Sequence, residues 1–116
     1  MKYKLFQINI TNEESDVINS MPDAWQHPKF KAHCDAMFGN PSTGLSNDFY
    51  EHVADIEANN LDDVFEVGNI GPEERITRFK PMHSVSVGDI VENELGERFV
   101  VAKFGFELVE KYYIAA

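Results

Sequence analysis

A single cysteine, Cys34, leaves these 116 residues without an intrachain disulfide, which excludes the small stapled scaffolds. No apolar run approaches the roughly 20 residues needed to cross a bilayer. The start, Met1-Lys2-Tyr3-Lys4, leads into a strand-like segment and not into the apolar stretch and cleavage site of a secretory leader. A reduced, cytoplasmic protein with no membrane association is therefore expected. Lysine and arginine are missing altogether from Ala32 to Glu74, whereas Asp35, Asp48, Glu51, Asp55, Glu57, Asp62, Asp63, Glu66, Glu73 and Glu74 all lie there. Binding to a phosphate backbone needs clustered cations, and only the short run Arg75, Arg78, Lys80 offers them. With a formal net charge of -10, direct nucleic-acid binding is disfavoured.

What is present is a folding sequence. Hydrophobic residues make up 43% and charged residues 26%, near the globular average, so one domain spanning 1–116 is expected. Tyr3 to Ile10 alternates as a half-buried strand, with Phe6, Ile8 and Ile10 as its apolar face. Thr11-Asn12-Glu13-Glu14 has the Ser/Thr-x-x-Glu pattern of a capping box and predicts a helix from about Asn12 to Ser20. Trp25 is expected to anchor the next connection in the core. Pro28 suits the first turn of a second helix reaching Gly39, whose apolar residues are Phe30, Cys34, Met37 and Phe38. The segment from Asn40 to Asn47 reads as a loop.

Phe49 to Ala58 fits a helix or a strand equally well by spacing alone. Asn60 can cap a short helix from Leu61 to Val67, with Asp62 and Asp63 in the first turn, where the helix dipole favours negative charge. Ile76 to Lys80 reads as a strand confined to an edge by Pro81. Gly88-Asp89 signals a turn before Ile90-Val91, Glu94 to Glu97 a hairpin loop, and Gly105 a bend before Phe106 to Val109. The expected fold is α+β, a single domain whose antiparallel sheet is covered by the N-terminal helices.

No motif in the chain specifies a reaction. His83, Ser84 and Asp89 have the residue types of a hydrolytic triad, but they lie in one short segment and Ser84 is not on a strand-to-helix elbow. A turn explains them better, with Ser84 and Ser86 bonding backbone groups, Val85 and Val87 packing inward and Asp89 accepting N–H bonds. His27, His33, His52 and His83 have no ligand spacing, and Cys34 has no second cysteine for a structural zinc, so no metal or other cofactor is expected. An acidic face made of Asp48, Glu51, Asp55, Glu57, Asp62, Asp63 and Glu66 could instead imitate the phosphates of a nucleic acid and occupy a basic groove on another protein. The apolar tail either docks on the sheet or contributes to an interface, and Tyr112, Tyr113 and Ile114 are the first choice for a homodimer contact.

Four blocks, Phe49-Tyr50-Glu51-His52-Val53, Leu61-Asp62-Asp63-Val64-Phe65, His83-Ser84-Val85-Ser86-Val87-Gly88-Asp89-Ile90-Val91 and Phe104-Gly105-Phe106, resemble in order and spacing the YodL-like family, over about Asp48 to Leu108. Members are small domains of conjugative plasmids, integrative elements and phages, found alone or beside antirestriction domains. Gly88 stands where the family pattern has Ser. The resemblance implies a mobile-element setting and a strand from Tyr50 to Ile56, and it carries no catalytic residue.

Together these readings favour a non-enzymatic accessory or regulatory protein that binds a basic host protein, in its narrowest form a DNA-mimicking inhibitor of a defence complex. Two rival classes remain. One is a small hydrolytic or metal-dependent enzyme using His52 or His83 with nearby carboxylates. The other is a nucleic-acid-binding regulator using Arg75, Arg78 and Lys80, joined by Arg98 and Lys103.

Overall fold

The computed structural model describes residues 1–113. Among them six strands form one antiparallel sheet: β1 (Lys2–Gln7), β2 (Glu51–Glu57), β3 (Ile76–Arg78), β4 (Ile90–Glu92), β5 (Arg98–Val101) and β6 (Phe106–Leu108), in the order β3-β2-β1-β4-β5-β6. Five helices accompany it: α1 (Asn12–Ser20), α2 (Pro28–Met37), α3 (Ser42–Ser46), α4 (Leu61–Asn69) and α5 (Glu110–Tyr113). The α+β class and the antiparallel sheet are as the sequence predicts.

The first strand lies near the sheet's centre, between β2 and β4, and this explains why its alternation misleads. Its buried side chains are Tyr3, Leu5 and Gln7; of the predicted apolar face Phe6 and Ile10 are only half-buried, whereas Ile8, just beyond the strand, is buried as expected. Tyr3 pairs across from Ile56, and Leu5 across from Ala54 and Val91. These residues form the main core with Val64 and Val67 of α4 and with Val85 and Val101. Phe6 points to the other face, packing on Ile90, Val100 and Val109. The Phe6 face is covered only toward the end of the strand, since Lys2 and Lys4 on it are exposed, so the apolar Phe6 and Ile8 mislead about which face carries the main core. Opposite the Leu5–Phe6 step, β2 bulges at Val53, whose carbonyl takes the Phe79 N–H at 2.8 Å.

The Thr11–Glu14 capping box and the Asn60 cap of α4 both form. Three other expectations fail. Trp25 is 51% exposed and packs edge-on against Phe30 instead of entering the core. On α2 the buried residues are Ala32 and Ala36, while Met37 and Phe38 face outward, because the helix approaches the sheet closely enough to admit only methyl groups. The segment expected to be a loop contains α3, whose Gly44 lies against Ile8 and Tyr50. Cover of the sheet is shared: α4 lies over the larger core, and α2 and α3 close the other side through Ile8, Leu45 and Tyr50.

The seating of α4 depends on a glycine. A Cβ on Gly68 would stand 2.2 Å from Cγ2 of Val85, a stiff, fully buried side chain. Gly68→Ala should therefore destabilise the protein by about 1–2 kcal/mol, overpacking outweighing the helix propensity that alanine gains. Urea denaturation would show this as a lower midpoint at unchanged slope.

Candidate functional site

The irregular segment between β3 and β4 carries the residues of most chemical interest. It is tied to the sheet through Gln7, which is completely buried. The side-chain oxygen of Gln7 accepts the His83 N–H at 3.2 Å, and its Nε2 donates to the His83 carbonyl and to Asp89 Oδ2, each at 2.9 Å. Those two bonds use both amide protons, so the 3.1 Å approach of Nε2 to His83 Nδ1 carries none. His83 Nδ1 therefore holds the ring proton and donates to the Ser84 carbonyl at 2.9 Å, leaving Nε2 as an acceptor in the neutral imidazole. Asp89 Oδ2 also takes the Ser86 N–H at 2.9 Å, closing the turn that the sequence predicts.

Gly88 sits in that turn at φ +93, and a Cβ there would lie 2.3 Å from the Ala36 carbonyl oxygen. Glycine is required twice over, by backbone conformation and by the closeness of α2. Between α2 and the turn lies a cavity of about 330 Å³ lined by Ile8, His33, Ala36, Met37, Tyr50 and the residues Ser86 to Asp89, with His83 at one side. Tyr50 crosses it to donate its hydroxyl to the Gly88 carbonyl. The rings of His33 and His83 meet edge to face, 6.5 Å between centroids.

Burial sets the protonation of this site. Asp89 is 5% exposed, and desolvation pushes its carboxyl up to about 6, against the opposing pull of His83, the Ser86 amide and Gln7. Desolvation lowers His33, with the His83 charge adding to it, so the imidazole is held neutral more firmly than usual. Burial also raises the Tyr50 phenol, and Asp89 reinforces it. The Cys34 thiol is pushed up by burial and then by Asp35, the reverse of what an activated nucleophile needs.

The structure separates the two histidines of the enzyme hypothesis. His52 lies between Phe6 and Phe79, at ring distances of 5.3 and 5.1 Å, with Nε2 2.8 Å from Asp55. His83 instead belongs to the Gln7–Asp89 network, with Nδ1 4.0 Å from Asp89. His27 caps α2 through Nδ1. The Ser86 hydroxyl donates to the Ser84 carbonyl and so is engaged locally. Among the described residues no three of His, Cys, Asp and Glu are placed to hold a metal ion.

The seven predicted acidic contacts do not share one face. Asp55 stands opposite Lys4, and Glu57 opposite Lys2, on the sheet face away from α4. Asp62, Asp63 and Glu66 belong to the helix that covers the other face. Asp48 lies before β2 with φ 55. Several are already paired: Glu51 with Lys80 at 3.7 Å, Asp55 with His52, Glu57 with the N-terminus and Asp63 with Arg75 at 3.7 Å. The cations of the nucleic-acid hypothesis are spent in the same way, since Arg78 forks onto Glu73 and Arg98 binds Glu92 at 2.9 Å while stacking over Phe6. Strands β3 and β5 are four strand positions apart, roughly 19 Å, so these cations form no single stripe.

Tyr112 docks on its own domain, donating to Glu107 at 2.8 Å and packing near Ile90 and Val100. Tyr113 ends α5, and Ile114 lies outside the described residues. No helix among the described residues is long and apolar enough to cross a membrane. The residues that sequence reasoning missed, Gln7 and His33, sit on a strand face and a helix face assigned the wrong way round. The available signals were Ala32 and Ala36 one helical turn apart, which permit close approach, and a glycine at position 88.

Asp89 holds its proton more tightly in the folded chain than in the unfolded one. Its contribution to stability is thus fully present below about pH 4 and is lost as pH rises through about 6. His33, whose pKa is lowered, acts with the opposite sign near pH 6.5. Denaturation of wild type and Asp89→Asn across a pH series separates the two, because His33 cancels in the difference. The wild type should lose stability relative to the variant between about pH 4 and about pH 6, with a constant gap outside that window.

Comparison with protein-family models, curated proteins and solved structures finds no match to this chain.

Proposed function

We propose that this is a non-enzymatic accessory or regulatory binding protein of a mobile genetic element, and that it meets a basic host protein through the outer face of α4. The observation that carries this reading is the pair Asp62 and Glu66, one turn apart and exposed, with no ion-pair partner among the described residues. They flank Phe65, which is 43% exposed. An aromatic anchor beside unpaired charge is the composition of a protein-binding patch, and the overall charge of -10 would steer a basic partner toward it. The mobile-element setting rests on the four sequence blocks that resemble the YodL-like family. The DNA-mimic form of the idea is not carried forward, because a file of phosphate-like charges needs the seven carboxylates on one surface and here they are split across two.

Charge reversal tests the reading. Affinity purification from the native host, followed by binding measurements on whatever basic protein copurifies, should show affinity falling as salt rises from about 0.05 M to about 0.5 M. The double variant Asp62→Lys, Glu66→Lys should weaken binding about tenfold or more, mainly by slowing association. A partner bound equally well by the variant, with no salt dependence, would contradict the assignment.

A further inference from the structure

The cavity between α2 and the Ser86–Asp89 turn has an unusual polar inventory, because most of the donors that border it are engaged within the protein. Ser86 N–H goes to Asp89, Gly88 N–H to the Val101 carbonyl and Asp89 N–H to the Ser86 carbonyl. The hydroxyls of Ser86 and Tyr50 donate to the carbonyls of Ser84 and Gly88. Acceptors remain. Asp89 Oδ1 receives no hydrogen bond among the described residues, although its neighbour Oδ2 takes two. It is also not sealed from solvent, since no fully enclosed side-chain oxygen or nitrogen lacks a partner. His83 Nε2 is the free nitrogen of the neutral ring assigned above. A buried carboxylate with an unengaged oxygen, on the wall of a largely apolar cavity, calls for a ligand that brings N–H groups.

We propose that this cavity binds a small, flat organic cation of the aryl-amidine or amino-heteroaromatic class, its N–H edge on Asp89 and its ring against Ile8, Met37, Val87 and Tyr50. The volume of about 330 Å³ is at the lower end of small-molecule sites and suits one ring system with a polar head. An amidinium offers two parallel N–H donors, matching a carboxylate oxygen and a neighbouring acceptor better than a point-like ammonium does. An anion of the same shape would face the Asp89 carboxylate. The site is separate from the α4 surface and does not depend on it.

Benzamidine, benzamide and benzoate are nearly isosteric probes that differ in charge and donors. In an amide NMR titration near pH 7.5, benzamidine should shift the signals of Ser86 to Asp89, and benzoate should bind at least about tenfold more weakly. Benzamidine affinity should rise from about pH 5 to about pH 7.5 as Asp89 ionises; of the groups that face it, His33 loses charge in the same direction, Tyr50 stays neutral and His83 stands beside it. Asp89→Asn should remove the preference for benzamidine over benzamide. Val87→Phe, which fills the cavity without touching the carboxylate, should weaken benzamidine at least about tenfold while leaving signals elsewhere unchanged. Equal binding of benzoate, shifts spread over the whole surface, or undiminished binding by Val87→Phe would overturn the proposal. Tighter binding of the peptide Gly-Arg-Gly than of benzamidine would overturn its assignment to a free small molecule.

Discussion

The buried amide of Gln7 is the interaction on which the rest of this structure turns. A neutral side chain with two donors and an acceptor sits where the central strand faces the segment between β3 and β4, and it closes three hydrogen bonds across 76 and 82 residues of sequence. That segment has almost no regular structure of its own, so its backbone groups need partners from elsewhere. Gln7 supplies them for His83 and helps to hold Asp89 in the turn. The turn in turn receives α2 at Gly88 and seats α4 through Val85. Replacing Gln7 by an apolar residue would leave several buried polar groups unpaired at once, which costs far more than any one of the bonds contributes.

The charge pattern acquires a different meaning in three dimensions. A middle segment without a single cation looks like a continuous acidic surface, but the fold brings the N-terminus onto Glu57, Lys80 onto Glu51 and Arg75 onto Asp63. Exposed pairs of this kind are worth little individually. Their main consequence is local, offsetting the carboxylates they touch, so that the unpaired charge of Asp62 and Glu66 on α4 stands out beside Phe65. The buried carboxylate of Asp89 is of another kind, because it is held by hydrogen bonds and not by a cation at contact distance. One oxygen takes two hydrogen bonds and the other takes none among the described residues, and the residue lines the cavity.

Local signals in the sequence proved reliable where a backbone requirement picks the residue. The Thr11 and Asn60 caps, the Gly88 turn at φ +93, the Gly105 bend and the edge position of β3 before Pro81 are all legible in the chain. Signals that rely on polarity failed where burial is two-sided. On β1 the Phe6 side is also packed toward the strand's end, and on α2 the helix comes so close to the Gly88 turn that alanine, not phenylalanine, is buried. Position 88 shows why the site was hard to read. Any side chain there would place its Cβ against the Ala36 carbonyl, so the cavity's far wall and its glycine go together. Nothing in the spacing of Gln7, His33 and Asp89 announces that they meet, because each arrives from a separate element and the contacts span most of the chain.

Native-state hydrogen exchange on wild type and Gln7→Leu tests the central role of this amide most directly. Protection of the His83, Ser86 and Asp89 amides should fall by at least about tenfold more than that of the β4–β5 ladder, because the segment loses the hydrogen bonds of the Gln7 side chain while the strand pairing stays intact. Uniform loss of protection across the sheet, or unchanged protection of those three amides, would contradict the account.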